Sequence, residues 1–200
     1  DDFFPPLAEA ARAIKVGPAD RDSSAGMGAL ITGGHLDRVT GLIATGVAEG
    51  AELLVDGRGV RVDAAPDGFY LGPTIIDRVE DNMSICHEEV FGPVLNVMRF
   101  EDLDAAIDIA NNQAFGNGAC IYTTSGKAAR EFSHRIQCGM IGINVGVPAP
   151  LAYFPFSGWN YSFFGDLHVQ GKEAIYFYTR AKVVTSRWFQ PGEGDIWHKD

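Results

Sequence analysis

The sequence predicts an α/β fold whose strands lie parallel. Three apolar segments have strand character, residues 94–100, 119–123 and 140–145, and two segments with helical periodicity separate them. Short loops join these segments, so each strand is expected to run parallel to the next, with right-handed crossovers. The faces expected to be buried consist of Leu103, Ala106, Ile107 and Ala110 in the first helix and of Ala129, Phe132 and Ile136, after a Ser125 cap, in the second.

The amino-terminal half predicts two further helices and two further strands. Residues 7–14 are amphipathic, and residues 35–50 form a longer helix that ends at a glycine. A short strand at residues 52–55 is followed by an exposed connection rich in Gly, Asp and Arg. Residues 69–76 are strand-like, with an interruption at a Gly-Pro pair. The stripe expected to be buried on the longer helix consists of Leu36, Val39, Ile43 and Val47.

The carboxyl-terminal part of the sequence differs in character. Residues 146–158 carry three prolines and several aromatics, so this segment is too apolar for a solvated linker and is expected to pack over the mouth of a site. Residues 175–188 alternate as an extended β segment with no later strand to pair with. Because such an edge needs covering, we expect it to dock onto another subunit. We therefore assign residues 175–189 as an oligomerisation strand and residues 190–200 as a tail.

Composition and charge exclude several classes of function. Acidic residues outnumber basic ones by 26 to 16, and a net charge of −10 does not hold nucleic acid or an anionic membrane by bulk electrostatics. Cys86, Cys120 and Cys138 lack metal-ligand spacing, so we expect no metal and reduced thiols, as in the bacterial cytoplasm or the mitochondrial matrix. No apolar run is long enough to cross a bilayer. The chain begins without methionine, which suggests a piece of a longer protein.

The sharpest local motif lies in residues 87–94. Gly92 precedes Pro93 and is therefore pushed toward an extended conformation, so the following strand begins abruptly. This leaves Glu89 and Phe91 at the strand entrance, where α/β proteins often place ligand contacts. A carboxylate there can accept both hydroxyls of a ribose, and a phenyl ring can pack against a planar heterocycle. Judged on spacing alone, a solvated acidic turn followed by a core phenylalanine is the simpler interpretation.

This segment resembles the Glu-Glu-x-Phe-Gly-Pro signature of the aldehyde dehydrogenase superfamily. Further motifs fall in the order that the family shows, and together they cover nearly the whole chain. Ala29 stands where the family usually has proline. The resemblance implies an α/β, parallel-sheet catalytic domain of aldehyde dehydrogenase type with a C-terminal assembly strand, of which residues 1–174 form part of the catalytic domain. The further motifs are residues 27–31, 68–75, 111–112, 115–116 and 141–144.

Other motifs resemble the methylmalonate-semialdehyde dehydrogenase branch of that family. Enzymes of this branch oxidise malonate or methylmalonate semialdehyde with NAD and transfer the acyl group to coenzyme A. The resemblance does not choose between the two semialdehydes, and it implies a homotetramer. The motifs of the branch are residues 115–118, 123–126, 148–151, 156–159, 165–168, 171–172, 177–179 and 185–188.

The resemblance also implies roles for individual residues. Glu89 matches the glutamate that binds the nicotinamide-side ribose of NAD, and Phe91 matches the aromatic that packs beside the nicotinamide ring. Phe156 matches an aromatic that lines the substrate tunnel, although a place in the core is an equal alternative without structure. The family's nucleophilic cysteine thiolate attacks the aldehyde, hydride passes to NAD, and the thioester is released to coenzyme A or water.

The resemblance implies that no catalytic residue lies in this chain. The nucleophile, the general-base glutamate and the oxyanion-hole asparagine of the family would all lie upstream. We expect Cys86, Cys120 and Cys138 to be small buried residues and the chain alone to be inactive. Two alternatives stay open: an aldehyde dehydrogenase that releases its thioester to water, and a non-catalytic assembly or binding fragment.

Overall fold

The computed structural model describes residues 2–188, and the chain divides into two compact units. The first unit runs to Ala114 and also includes Arg130–Ile136, and the second unit holds the rest of the chain. The elements of the first unit are the helices α1 (Phe4–Arg12), α2 (Gly33–Ala48), α3 (Ser84–His87) and α4 (Leu103–Asn111) and the strands β1 (Glu52–Val55), β2 (Thr74–Asp77) and β3 (Val94–Asn96).

Helix α2 is the longest element, and local signals in the sequence fix both of its ends. The hydroxyl of Thr32 accepts a hydrogen bond of 3.1 Å from the backbone N–H of His35, which caps the helix. Gly50 lies just beyond the carboxyl end at a φ of +116°, a conformation that favours glycine. Val39 and Ile43 from the predicted stripe are fully buried. The periodic pattern therefore locates this helix correctly.

The first unit contains a three-stranded mixed sheet in the order β1-β2-β3. Strand β2 pairs with β1 antiparallel and with β3 parallel, with Thr74 opposite Val94. All four residues of β2 are buried, and the main hydrophobic core joins this strand to α2 and α3. Asp77, at the end of β2, is buried beside the guanidinium of Arg99, whose Nε donates to Oδ1 at 3.0 Å. This ion pair satisfies a charge that would otherwise be buried alone.

The second unit contains two parallel strands and two antiparallel ones. Strand β5 pairs with β6 in parallel, and β4 pairs with β7 antiparallel. As predicted, the Ser125 hydroxyl caps helix α5, accepting a hydrogen bond of 3.2 Å from the Ala128 N–H. The elements are β4 (Phe115–Gly116), β5 (Gly118–Ile121), α5 (Gly126–Arg135), β6 (Met140–Ile143), β7 (Trp159–Asn160) and α6 (Glu173–Tyr178).

The structure confirms an α/β fold that contains parallel and antiparallel strand pairs. Every predicted helix and strand before residue 146 is present, but several strands are shorter than their apolar segments. The parallel pairs are β2–β3 and β5–β6, and the sheet that contains β2 also has an antiparallel strand, so the architecture is mixed. The predicted parallel pairing is thus present, and antiparallel strands accompany it.

The predicted extended segment at residues 175–188 begins as a helix. Helix α6 forms where alternation predicted a strand, and residues 179–188 have no regular secondary structure. An alternating pattern specifies a strand only when another strand supplies hydrogen-bond partners, whereas a helix satisfies its own backbone. The Thr179 hydroxyl donates to the carbonyl of Ile175 and closes this helix. The assembly role of residues 175–189 stays a prediction, and the predicted tail, residues 190–200, lies outside the described residues.

Candidate cofactor-binding site

The loop between α3 and β3 carries Glu89 and Phe91, and it is anchored at its middle residue and where it joins β3. Val90, between these two residues, is buried in the main core. After the loop, the carbonyl of Pro93 accepts a hydrogen bond of 2.8 Å from the backbone N–H of Thr74. Strand β3 begins at Val94, directly after the Gly-Pro pair, as predicted, and it lies beside β2.

One face of helix α2 holds this loop in place. The Arg38 guanidinium donates to the carbonyl of Glu89 at 2.8 Å and to the carbonyl of Val90 at 2.9 Å. One turn earlier, Nε2 of His35 lies 2.8 Å from the carbonyl oxygen of Phe91. These two side chains are three residues apart, so they lie on the same face of the helix. Three consecutive loop carbonyls are thus bound by two side chains of α2.

The loop also fits closely against the helix at Gly92. A Cβ added to this glycine would lie 3.0 Å from Cγ1 and 3.1 Å from Cγ2 of the fully buried Val39. A Cβ at this position would force the buried Val39 side chain to shift by a few tenths of an ångström, so the close fit favours glycine. We refer to His35, Arg38 and Val39, together with the loop at residues 88–92, as the clamped loop.

Phe91 has a backbone conformation that is unusual for a phenylalanine. Its φ is +52°, in the left-handed region, and its side chain is 76% exposed. The ring meets the His35 ring edge-on, with centroids 6.2 Å apart. The conformation directs the carbonyl oxygen to His35 while the ring stays open to solvent. An exposed phenyl ring held on a fixed backbone is suited to pack against a planar ligand.

The side chain of Glu89, two residues before Phe91, is also exposed. Within residues 2–188 its carboxylate takes part in no hydrogen bond or ion pair, whereas the neighbouring Glu88 carboxylate lies 3.6 Å from the Arg38 guanidinium. The structure thus brings Glu89 and Phe91 together on one loop, as predicted. Their roles toward a cofactor stay predictions.

An apolar cavity of about 390 Å³ lies next to the clamped loop. It opens where the loop meets strand β3 and helix α1, and its lining is almost entirely hydrocarbon. Such a concave apolar surface beside an exposed carboxylate and ring is typical of a site for a small molecule. The lining includes Leu7, Ile14, Met27, Pro73, Gly92 and Leu95.

Sequence reasoning missed His35 and Arg38. Neither belongs to a motif, and the contacts of Arg38 span 51 and 52 residues of chain. The available signal was the spacing of a histidine and an arginine along the face that also carries buried Val39. That spacing does not reveal which distant carbonyls the two side chains bind.

Phe156 belongs to the second unit and lies in a segment held by polar contacts. The ring is 40% exposed. The hydroxyl of the next residue, Ser157, lies 3.1 Å from Nε2 of His168, and Nδ1 of this histidine pairs with the Glu173 carboxylate. The hydrogen bond from the His168 side chain to the Glu173 carboxylate holds the pKa of Glu173 below its ordinary value. The place of Phe156 in a substrate tunnel stays a prediction.

The three thiols lie in surroundings that disfavour a thiolate or leave it unassisted. Burial is the main cause that raises the pKa of Cys86, and the nearby Asp81 carboxylate raises it further. Burial likewise raises the pKa of Cys138, whose Sγ donates to the carbonyl of Met140 at 3.2 Å. Cys120 is half-buried in β5. The expectation that none of the three is a nucleophile stays a prediction.

The family model described as "Aldehyde dehydrogenase family" matches residues 1–184. The chain belongs to the aldehyde dehydrogenase family. It is 49% identical over 189 residues to malonate-semialdehyde dehydrogenase 1 of Oceanobacillus iheyensis, an alignment that covers 94% of the chain and 38% of the relative. It is 48% identical over 189 residues to malonate-semialdehyde dehydrogenase 2 of Bacillus thuringiensis, with the same coverage. The enzymes of this family are oxidoreductases.

Solved aldehyde dehydrogenase structures have the same fold. A methylmalonate-semialdehyde dehydrogenase from Oceanimonas doudoroffii superposes with a TM-score of 0.90 and 44% identity, covering 95% of this chain and 39% of that one. A proposed methylmalonate-semialdehyde dehydrogenase from Sinorhizobium meliloti, complexed with NAD, gives a TM-score of 0.88 and 41% identity, covering 92% and 37%. The chain therefore spans less than two-fifths of the length of these relatives. Within residues 2–188, no helix is long and apolar enough to cross a membrane.

Proposed function

We propose that this chain is part of an NAD-dependent, coenzyme A-acylating dehydrogenase of malonate or methylmalonate semialdehyde. The observation that carries the proposal is the clamped loop, which exposes both the Glu89 side chain and the Phe91 ring while Arg38 holds its backbone. The names of the relatives and the branch motifs support the substrate class and the acyl acceptor. The NAD complex of a relative supports the cofactor.

The residues of the loop fit the nicotinamide end of NAD. The two carboxylate oxygens of Glu89 can accept both hydroxyls of a ribose, and they have no competing partner within the described residues. The exposed ring of Phe91 can pack against one face of the nicotinamide and exclude water from it. When bound, the cofactor supplies the acceptor for a hydride. Arg38 and His35 hold the carbonyls of the loop, so the carboxylate and the ring keep their positions.

We propose further that none of Cys86, Cys120 and Cys138 forms the acyl thioester and that the chain alone is inactive. Burial raises the pKa of Cys86 and Cys138, which disfavours the thiolate form that would have to attack an aldehyde. The nucleophile would then come from a part of the enzyme outside this sequence. The greater length of the relatives is consistent with this division.

We propose that residues 175–189 assemble the enzyme as a homotetramer. The described part of this segment exposes many large apolar side chains, a surface that isolated soluble units rarely keep uncovered. The free thiols agree with a reducing compartment, the cytoplasm of a bacterium or the mitochondrial matrix. The most exposed apolar side chains of the segment are Ile175, Tyr176, Tyr178, Val183, Val184 and Trp188.

The test is NADH formation from malonate semialdehyde by the complete enzyme, with and without coenzyme A. Glu89→Gln is expected to weaken NAD binding about 10- to 100-fold, because hydrogen bonds to a charged group contribute roughly 1.5–3 kcal/mol. Glu88→Gln, which changes the adjacent exposed carboxylate, is the matched control and should change NAD affinity less than about threefold. An equal loss in both variants would contradict the assignment of Glu89.

The thiol acceptor distinguishes the two dehydrogenase classes. Acyl-coenzyme A as the product supports the acylating enzyme, whereas free acid formed at the same rate without coenzyme A indicates release to water. Turnover by the 200-residue chain itself would show that the nucleophile lies within it, and Cys86 would be the first residue to replace.

A further inference from the structure

Three metal-ligating side chains converge just before the clamped loop. They are the Asp81 carboxylate, the Cys86 thiol and the His87 imidazole, whose ligand atoms all lie within 4.8 Å of one another. Oδ1 of Asp81 is 3.6 Å from Nε2 of His87 and 3.9 Å from Sγ of Cys86. Cys86 and His87 are consecutive residues at the end of helix α3, and the turn before this helix places Asp81 close to both. Sequence spacing alone did not reveal this group.

These separations are close to those of a tetrahedral zinc site. With metal bonds of about 2.3 Å to sulfur and about 2.0–2.2 Å to nitrogen and oxygen, neighbouring ligand atoms lie roughly 3.4–3.6 Å apart. The two separations that involve Asp81 exceed this range by at most about 0.3 Å, and the third pair, Cys86 with His87, lies within 4.8 Å. Rotation of the exposed side chains can close these gaps. The Asp81 and His87 side chains are 45% and 50% exposed, so both can make that adjustment.

We propose that Asp81, Cys86 and His87 bind a zinc-type divalent ion, with one position left for water. A sulfur, an imidazole nitrogen and a carboxylate oxygen form a donor set that zinc accepts, whereas magnesium and calcium prefer oxygen alone. The ion would link the two ends of a segment of seven residues, 81–87. The proposal concerns a site separate from Glu89 and does not depend on the proposed dehydrogenase activity.

The surroundings of Cys86 suit a thiophilic ion. The Cys86 thiol lies 3.8 Å from the sulfur of Met98, and both side chains line a cavity of about 430 Å³. Asn96 also lines this cavity, and its Oδ1 atom is buried and has no hydrogen-bond partner within the described residues. A water bound to the ion in this cavity could donate to such an acceptor. The thiol is thus half-buried among soft and apolar groups, while the other two ligands admit the ion from solvent.

The Cys86 and His87 ligand atoms both hydrogen-bond to Asp81. The Cys86 thiol donates to Oδ1 of Asp81, and Nε2 of His87 pairs with the backbone carbonyl of Asp81. Loading the ion replaces the thiol proton with the metal, and this proton leaves to solvent. The imidazole then ligates through Nε2 and carries its proton on Nδ1.

Titration with Co²⁺ as a spectroscopic probe tests the site in the full chain. We expect one ion per chain, a thiolate-to-cobalt charge-transfer absorption and d–d bands of tetrahedral intensity, all removed by stoichiometric Zn²⁺. Cys86→Ser should abolish the charge-transfer absorption. Asp81→Asn and His87→Gln should each weaken binding at least about tenfold, a loss typical of damage to a metal site.

Cys120→Ser is the matched control, because it removes a half-buried thiol from strand β5, away from helix α3 in the chain, and should leave the spectrum unchanged. Circular dichroism of each variant confirms that it is folded. Retention of the charge-transfer absorption in Cys86→Ser, or weak octahedral spectra in the parent chain, would overturn the proposal. Loss of binding in Cys120→Ser alone would place the ion elsewhere and overturn it equally.

Discussion

Arg38 allows the most direct test of whether helix α2 holds the clamped loop in place. Its guanidinium donates two hydrogen bonds to loop carbonyls 51 and 52 residues away, at 2.8 and 2.9 Å. Arg38→Met keeps much of the length of the side chain and removes both donors. The same helix face still presents His35, which holds the next carbonyl at 2.8 Å. The substitution therefore loosens the loop at two residues without removing every attachment.

The expected loss of stability follows from the burial of these groups. Hydrogen bonds to a charged partner contribute roughly 1.5–3 kcal/mol each when they are well shielded. The Arg38 side chain is 44% exposed, and only the contact with Val90 is partly buried, so the lower end applies to both bonds. We expect Arg38→Met to lower the free energy of unfolding by about 1–3 kcal/mol. The exposed pair with Glu88 adds less than about 1 kcal/mol.

Two measurements together test this reasoning. Chemical denaturation gives the change in stability, and hydrogen exchange of the backbone amides of residues 89–92 reports the loop itself. The loop amides should exchange faster in Arg38→Met, while amides of β5 and β6 should keep their rates. Glu88→Gln is the control, since it removes the ion pair and leaves both carbonyl bonds. If the loop amides of Arg38→Met exchange as in the parent chain, the helix does not hold the loop.

Two further substitutions test the packing and the buried charge of the first unit. Gly92→Ala should destabilise the chain by about 1–3 kcal/mol, because the added Cβ would press against fully buried Val39. The control is Gly41→Ala in α2, where the added Cβ would meet no atom within 4 Å and should stabilise the helix by up to about 1 kcal/mol. Equal effects of the two substitutions in thermal denaturation would contradict the close fit at Gly92. Asp77→Asn should destabilise the chain at neutral pH, because it removes the charge that pairs the buried Asp77 carboxylate with the partly exposed Arg99 guanidinium. The hydrogen bond from Arg99 holds the pKa of Asp77 below its ordinary value, so the stabilisation is present above a pH of about 4 and is lost as the pH falls through the lower folded-state pKa. Denaturation of parent and variant should therefore converge in acid, and a constant difference between them down to strongly acidic pH would refute the assignment.

Local sequence signals predicted the helices better than the ends of the strands. Helix α2 has a hydroxyl cap, a buried stripe and a terminal glycine, all within its own span, so its boundaries were predictable. Strand β3 occupies only the first three residues of a longer apolar segment, because the register with β2 decides where pairing stops. Alternation at residues 175–178 gave the wrong element for the same reason. A strand depends on a partner that the local pattern does not contain.

The candidate site was only partly predictable from the sequence, because some of its contacts join residues that are far apart in the chain. Glu89 and Phe91 were found because the Gly-Pro pair that follows them marks the start of a strand, and this signal is local. The side chains that hold them come from α2, more than fifty residues earlier, and no local pattern indicates that pairing. The metal-ligand group at residues 81–87 was missed although it is local, since its geometry depends on the short helix α3 and on the turn before it.

The conformation of Phe91 links these observations to function. A phenylalanine in the left-handed region costs about 1–2 kcal/mol relative to an ordinary backbone, so an isolated loop would seldom adopt it. The contact between the Phe91 carbonyl and His35 and the two bonds from Arg38 together contribute at least as much, which stabilises the strained form. In this form the carbonyl faces the helix and the ring remains 76% exposed. The helix thus holds the ring open before any ligand arrives, and a ligand that packs on the ring need not supply the energy to order the loop.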